Sequence, residues 1–274
     1  MEEFLGYWIR NVGHTLGRYL IFASLAFIIF YIILKKPLWF RKVQKRMPRI
    51  SDYTRDFLWS VSTVCIFATV AYATFRLLAP YTNFYSDISE FGWGYYIFTW
   101  VWMFFAHDTW FYWAHRMMHH PLLFKHVHLI HHKSTNPSPW TAYAFHPIEA
   151  VLEVMIVPIL AFTLPIHKAS LGTFFLFQII YNVYGHLGFE LYPKGFHKSL
   201  VGRWVNTSVA HNLHHKRFRG NYGLYFLFWD RMMGTLRTEY DEVYEKTTIK
   251  DEKTAEPGIH GRLIRKSKPK ILNS

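Results

Sequence analysis

Five apolar runs leave this chain few ways to fold. They are Tyr19–Leu34, Phe57–Ala79 with Arg76 as its charged residue, Phe91–Ala106, Ala150–Ile166 with Glu153 inside it, and Leu171–Tyr184. The first three approach the roughly 20 residues that a bilayer-crossing helix needs, while the last two are about 15 long and fit a tight hairpin or a re-entrant pair. With 51% hydrophobic and 20% aromatic residues and Trp-rich flanks, the pattern predicts an all-α integral membrane protein of four to five hydrophobic helices rather than a soluble core. Met1-Glu2-Glu3 is acidic and no small-residue cleavage site follows, so the first run is expected to remain as an anchor. The single cysteine, Cys65, lies within the second run and cannot form an intramolecular disulfide.

The formal charge of +13 is unevenly placed. Lys35, Lys36, Arg41, Lys42, Lys45, Arg46 and Arg49 crowd behind the first run, where the positive-inside rule expects cytoplasmic charge and where anionic headgroups could be met. A nucleic-acid partner would want stacking aromatics in a polar domain, which the chain lacks. With that loop cytoplasmic, Pro80–Glu90, which has two acids and no base, is external, as is the hairpin around Pro165–Ser170. The same topology delivers Asp108–His146, His186 and everything after it to the cytoplasmic side, predicting a histidine-rich helical cap there.

That cap holds the chemistry. Eight histidines fall between His107 and His132, and the pattern returns as His211-Asn-Leu-His214-His215. His115-x-x-x-His119-His120 and His128-x-x-His131-His132 put imidazoles three and four residues apart on one helical face, the spacing at which they converge on a cation. Asp108, Tyr112, His115 and His119 lie within an arc of about 60° if the third span continues as one helix out of the bilayer. Nine or ten candidate ligands exceed what one ion can use, so a two-metal centre is expected, although imidazole alone suits Fe, Zn, Cu or Ni. Because ligating histidines usually donate their second N–H to a carboxylate or carbonyl, Asp108, Glu149 and Glu190 are the expected supporting acids. Pro121 and Asn136-Pro137-Ser138-Pro139 should leave a short helix near Phe124–His132. His14, His167 and His260 are expected to be solvated, and the roles of His107, His126, His146 and His197 stay open.

Taken in order, Asp108-x-x-x-Tyr112-Trp113-x-His115-Arg116-x-x-His119-His120, His128-x-x-His131-His132, His146-Pro147, Gly185-His186, His211-x-x-His214-His215, Asn221-Tyr222-Gly223 and Trp229-Asp230-Arg231-x-x-Gly234-Thr235 resemble the fatty acid hydroxylase/sterol desaturase superfamily, the closing segment looking most like its sterol C-5 desaturase branch. The resemblance covers about Phe91–Thr235. It implies a non-haem di-iron enzyme that uses O₂ and two electrons to hydroxylate or desaturate a lipid. It matches His115, His119, His128, His131, His132, His186, His211, His214 and His215 to family histidines, with His120 as a further motif member. Asn182 departs from the fatty acid 2-hydroxylase pattern, which tends to carry histidine there. No haem-binding electron-transfer segment is recognisable, so a separate donor of cytochrome or ferredoxin type with its reductase is expected. Residues 1–90 read as membrane anchor with a basic cytoplasmic loop, 91–240 as the catalytic domain and 241–274 as a charged, flexible cytoplasmic tail. Two other readings compete: a zinc-dependent membrane hydrolase, although no His-Glu-x-x-His occurs, and a non-catalytic metal-binding membrane protein.

Overall fold

A computed structural model of the chain describes residues 1–250. Helix α1 (Glu2–Phe27) begins with two acids that complement its positive end and continues through a π-helical turn, Ile28–Ile33, until Lys35-Lys36-Pro37 stops it. Helix α2 (Ile50–Tyr72) opens with the Asp52 carboxylate accepting the Arg49 N–H at 3.0 Å and runs on through a second π-helical turn, Ala73–Leu77, just short of Pro80. With those turns included, Glu2–Ile33 and Ile50–Leu77 are the two helices among the described residues that are long and apolar enough to cross a membrane.

The third expected span forms within α3 (Gly92–Met118), an unbroken helix carrying Asp108, Tyr112 and His115 on its buried side. Polar residues in its second half separate it from a uniformly apolar span. The Ala150–Ile166 run does not form one helix. Its residues are divided between α6 (Pro147–Val154) and α7 (Ile156–Thr163), because Pro158 lacks the N–H that would bond the Val154 carbonyl. At eight residues, or about 12 Å, neither is long enough to cross a hydrocarbon core alone. Helix α8 (Lys168–Gly185) supplies the return. The five expected apolar runs thus yield two candidate spans, one long helix that turns polar in its second half, a broken pair and α8.

The ends of this bundle are distinct. At one, β1 (Phe84–Tyr85) pairs in parallel with β2 (Ile166–His167), and His167 Nε2 donates to the Ser86 carbonyl at 2.9 Å. The two loops expected on one side of the membrane are therefore joined. At the other end lie α4 (Pro121–Val127), α5 (Leu129–His132), α9 (Ser208–Arg217), α10 (Phe228–Met232) and α11 (Tyr240–Thr248). Helix α11 belongs to the segment expected as tail, yet Tyr240 and Tyr244 are buried against Val209, Leu213 and Leu227. The remainder of that tail, His260 included, lies outside the described residues.

The basic loop between α1 and α2 folds into this second end instead of only facing headgroups. Arg41 donates to the Glu190 and Tyr192 carbonyls at 3.0 and 2.8 Å. Lys42 is buried between the Tyr31 and Phe189 rings, with its Nζ on the Gly188 carbonyl, and burial lowers its pKa to about 7. Gln44 bridges the Thr135 carbonyl and Asn212 Oδ1 at 2.7 and 2.9 Å. Asp56 on α2 accepts from Ser134 and Thr141, each at 2.7 Å, and so fixes the turn that follows His131-His132.

Candidate metal centre

Nine histidines converge in two adjacent groups. His115, His119, His128, His132 and His214 form one; His131, His186, His211 and His215 form the other, and within each group the ligand nitrogens lie within 4.8 Å of one another. Helical geometry explains the sorting. Adjacent residues on a helix point about 100° apart, so His131 and His132, like His214 and His215, straddle the two groups, whereas partners four apart stay together. His115 thus joins His119, His128 joins His132, and His211 joins His215. The two His-x-x-His-His motifs are used in complementary fashion: the first gives two rings to the five-histidine group and one to the other, and the second reverses that division.

The nitrogens cannot satisfy one another. His119, His132 and His214 place their Nε2 atoms 3.2, 3.1 and 3.0 Å apart pairwise. Each such nitrogen either donates or accepts, so three at mutual contact cannot all be paired. His214 Nδ1 donates to the Gly220 carbonyl at 2.8 Å, which leaves a lone pair on its Nε2 when the ring is neutral. The same argument holds for His115, whose Nδ1 meets the Tyr222 carbonyl at 2.9 Å, and for His186, whose Nδ1 meets the Asn182 carbonyl at 2.8 Å. His186 Nε2 in turn sits 2.9 Å from His211 Nε2 and 3.3 Å from His131 Nε2. Burial keeps these rings neutral, lowering the pKa of His115 and His186 to about 4. Converging lone pairs on buried neutral imidazoles are a donor set for cations, and one cation per group would satisfy both.

The three expected acids divide in their roles. Glu149 touches a ring directly: its Oε1 accepts from His128 Nδ1 at 2.7 Å, with both groups buried, and burial holds its carboxyl well above the usual range. Asp108 instead accepts the backbone N–H groups of Tyr225 and Phe226 at 2.8 and 3.2 Å, securing the loop whose Tyr222 carbonyl orients His115. Glu190 takes the Val209 N–H at 3.1 Å, fixing the start of α9, along with the Tyr184 hydroxyl and the Tyr192 N–H. Asp230 is a fourth supporting acid, one that histidine spacing does not flag. It accepts from Tyr222 N, Gly223 N and Thr235 Oγ1 at 2.9, 2.8 and 2.6 Å, closing the same loop from its other side. The Asn221-Tyr222-Gly223 and Trp229-Asp230 motifs were the available signal.

His120 falls outside both groups. It precedes Pro121 and caps α4, its Nδ1 accepting the Leu122 N–H at 3.4 Å, so the helix starts at Pro121 and is interrupted at His128 instead of beginning near Phe124. Proline at a first helical position needs no N–H there, which explains the start. His146 before Pro147 repeats the cap on α6. His126 is exposed, His107 is buried against Tyr225 Oη at 3.1 Å, and His197 packs on the Tyr244 ring.

The fatty acid hydroxylase family profile matches residues 100–235, the stretch that contains every clustered histidine. Together with the apolar helices, that match defines a membrane-bound oxidoreductase class. The chain belongs to this family, on its sterol desaturase side. It is 29% identical over 228 residues to lathosterol oxidase of Rattus norvegicus, an alignment covering 81% of this chain and 73% of that one. The human lathosterol oxidase is 28% identical over 232 residues, covering 84% and 73%. The Delta(7)-sterol 5(6)-desaturase of Leptosphaeria maculans is 35% identical over 139 residues, which is 51% of this chain but 37% of that protein. No solved structure matches.

Proposed function

We propose that this protein is a non-haem di-iron enzyme that hydroxylates or desaturates a membrane lipid of sterol or fatty-acyl class, consuming O₂ and two electrons. The observation that carries the reading is the pair of buried, all-imidazole groups beside an apolar cavity. His115, His119, His128, His132 and His214 would hold one iron, and His131, His186, His211 and His215 the other. When bound, iron supplies the oxidising power for an unactivated C–H bond, which no side chain here has. Hydroxylation balances as R–H + O₂ + 2e⁻ + 2H⁺ → R–OH + H₂O; desaturation removes a second hydrogen and releases two waters.

The chain's own residues bind, orient and exclude water. Glu149 fixes the His128 ring, while Asp108, Asp230 and Glu190 set the loop and helix that deliver His115, His214 and His211. Phe111 and Phe145 line the hollow against the histidines and keep it apolar. The names of the relatives favour a sterol. Because the basic α1–α2 loop packs at the histidine end, the positive-inside rule supports a multi-pass arrangement with the centre on the cytoplasmic side. Electrons would arrive there from a separate cytochrome- or ferredoxin-type donor with its reductase. Comparing lipid extracts, sterols included, from cells with and without the gene under ¹⁸O₂ tests the proposal. The expected result is one O₂-dependent lipid product; unchanged lipids, or a product still formed without O₂, would defeat it.

A further inference from the structure

Resting on that oxidase reading, we propose that the cavity takes a lipid bearing an uncharged hydroxyl group, and that Glu153 is the residue that holds this hydroxyl beside the histidine centre. The cavity has a volume of about 370 Å³, and Phe67, Phe75, Val157, Leu171, Phe175 and Ile179 give it an apolar wall. A void of this size in such a wall suits a lipid skeleton. Three residues, Phe145, Glu153 and Asn182, border both this cavity and the hollow lined by His115, His131, His186 and His211.

Of those three, Glu153 is the one with neither polar atom engaged, whereas Asn182 keeps only its Oδ1. Helix α6 puts Glu149 and Glu153 four residues apart on one face, and Glu149 is engaged by His128. Asn182 gives its Nδ2 to the Ala142 carbonyl at 2.7 Å. Glu153 has no hydrogen bond or ion pair among the described residues, and it faces the junction of the two spaces. An alkyl chain threaded through that junction would leave the carboxyl group unsatisfied against hydrocarbon, an arrangement that binding disfavours. A carboxylate or phosphate would have to bury its own charge there, with no lysine or arginine lining the hollow. A hydroxyl can donate to the Glu153 oxygens without either penalty.

The cations that line the cavity stand elsewhere. Lys168 opens α8, and Asn182 lies fourteen residues further along the same helix, about 21 Å away by helical rise. An acidic lipid bound head-first at Lys168 and Arg18 would present its apolar tail to Glu153, the arrangement just argued against. Binding through the hydroxyl also places the oxidised carbon near that hydroxyl rather than at the far end of the molecule.

The test uses the full-length, metal-loaded protein in nanodiscs and measures equilibrium binding of a tritiated sterol, its methyl ether, a long-chain primary alcohol, its methyl ether and the matching fatty acid. Wild type should prefer one free alcohol over its ether by about tenfold, the worth of a single hydrogen bond, and the arm that binds separates a sterol from a straight-chain source. Glu153→Leu should erase the preference while leaving the ether's affinity within about twofold, and Glu153→Gln should keep most of it. Equal binding of alcohol and ether by wild type, tighter binding of the fatty acid, or a preference unchanged in Glu153→Leu would overturn the proposal. If Glu153→Leu does not fold, the wild-type and Glu153→Gln comparisons still decide it. An intact preference without any O₂-dependent product would refute the oxidase reading and leave the binding site standing.

Discussion

Replacing Glu149 with glutamine tests whether the five-histidine group is a metal site oriented by its carboxylate. Glu149 Oε1 accepts from His128 Nδ1 at 2.7 Å between two buried groups, a contact that becomes charge-assisted once a cation on the ring offsets the burial that favours the neutral acid, and His128 Nε2 lies 3.0 Å from His115 Nε2. Glutamine keeps an acceptor in place but removes the charge. Hydrogen bonds to charged groups contribute about 1.5–3 kcal/mol and neutral ones about 0.5–1.5, so the difference is on the order of 1–2 kcal/mol. At 1.4 kcal/mol per factor of ten, metal affinity at this group should fall about 5- to 30-fold, within the range seen when a supporting partner of a metal-bound histidine is lost. The second group, His131, His186, His211 and His215, has no contact with Glu149 among the described hydrogen bonds and should keep its metal. The assay is metal content per chain after dialysis against graded chelator. Wild type should lose its metals at higher chelator than the variant, and Glu149→Gln should pass through a stage with one metal per chain. Superimposable chelator curves, or simultaneous loss of both metals at the wild-type midpoint, would refute the reasoning.

Two further outcomes follow from the same geometry. Asp230→Ala strips three donors, the Tyr222 and Gly223 N–H groups and the Thr235 hydroxyl, of a buried acceptor; it should lower stability by at least about 2 kcal/mol in a denaturant or thermal assay, whereas Glu245→Gln on the surface should change it little. Metal-free protein should lose stability as pH falls from about 6.5 to about 4, the interval between the ordinary histidine pKa and the lowered values of His115 and His186. In that interval the unfolded chain binds protons that the folded one refuses, so stability rises with pH, and thermal melts across it should show that slope. A flat profile would mean that the rings are not held neutral by burial.

The metal groups were more legible in the sequence than their supports. Spacing of three and four residues on short helices brings His128, His131, His132, His211, His214 and His215 together through local geometry, and sequence patterns report local geometry well. The division of neighbouring rings between two groups follows from the same 100° step but shows only once the helices are placed together. The acids were harder, because a carboxylate's partner depends on which distant backbone comes to meet it. Asp108 lies on the stripe with His115, yet its acceptors are used on Tyr225 and Phe226, more than a hundred residues later. His120 differs: its cluster suggests a ligand, whereas in the structure it lies outside both groups and caps α4 ahead of Pro121. Lys42 shows the limit of charge counting, since a residue that marks the loop as basic ends buried between aromatic rings. Helices long and apolar enough to cross a membrane are legible where runs are long, as in Glu2–Ile33 and Ile50–Leu77, whereas Pro158 divides the shorter Ala150–Ile166 run between two short helices.

If nine histidines hold two redox metals, the direct measurement is iron per chain in protein purified under conditions that preserve activity, taken alongside His132→Ala and His215→Ala. Two irons per wild-type chain are expected, with His132→Ala depleting the five-histidine group and His215→Ala the four-histidine group, each leaving about one. Active protein without redox metal, or with a single iron that both variants remove, would contradict that reading.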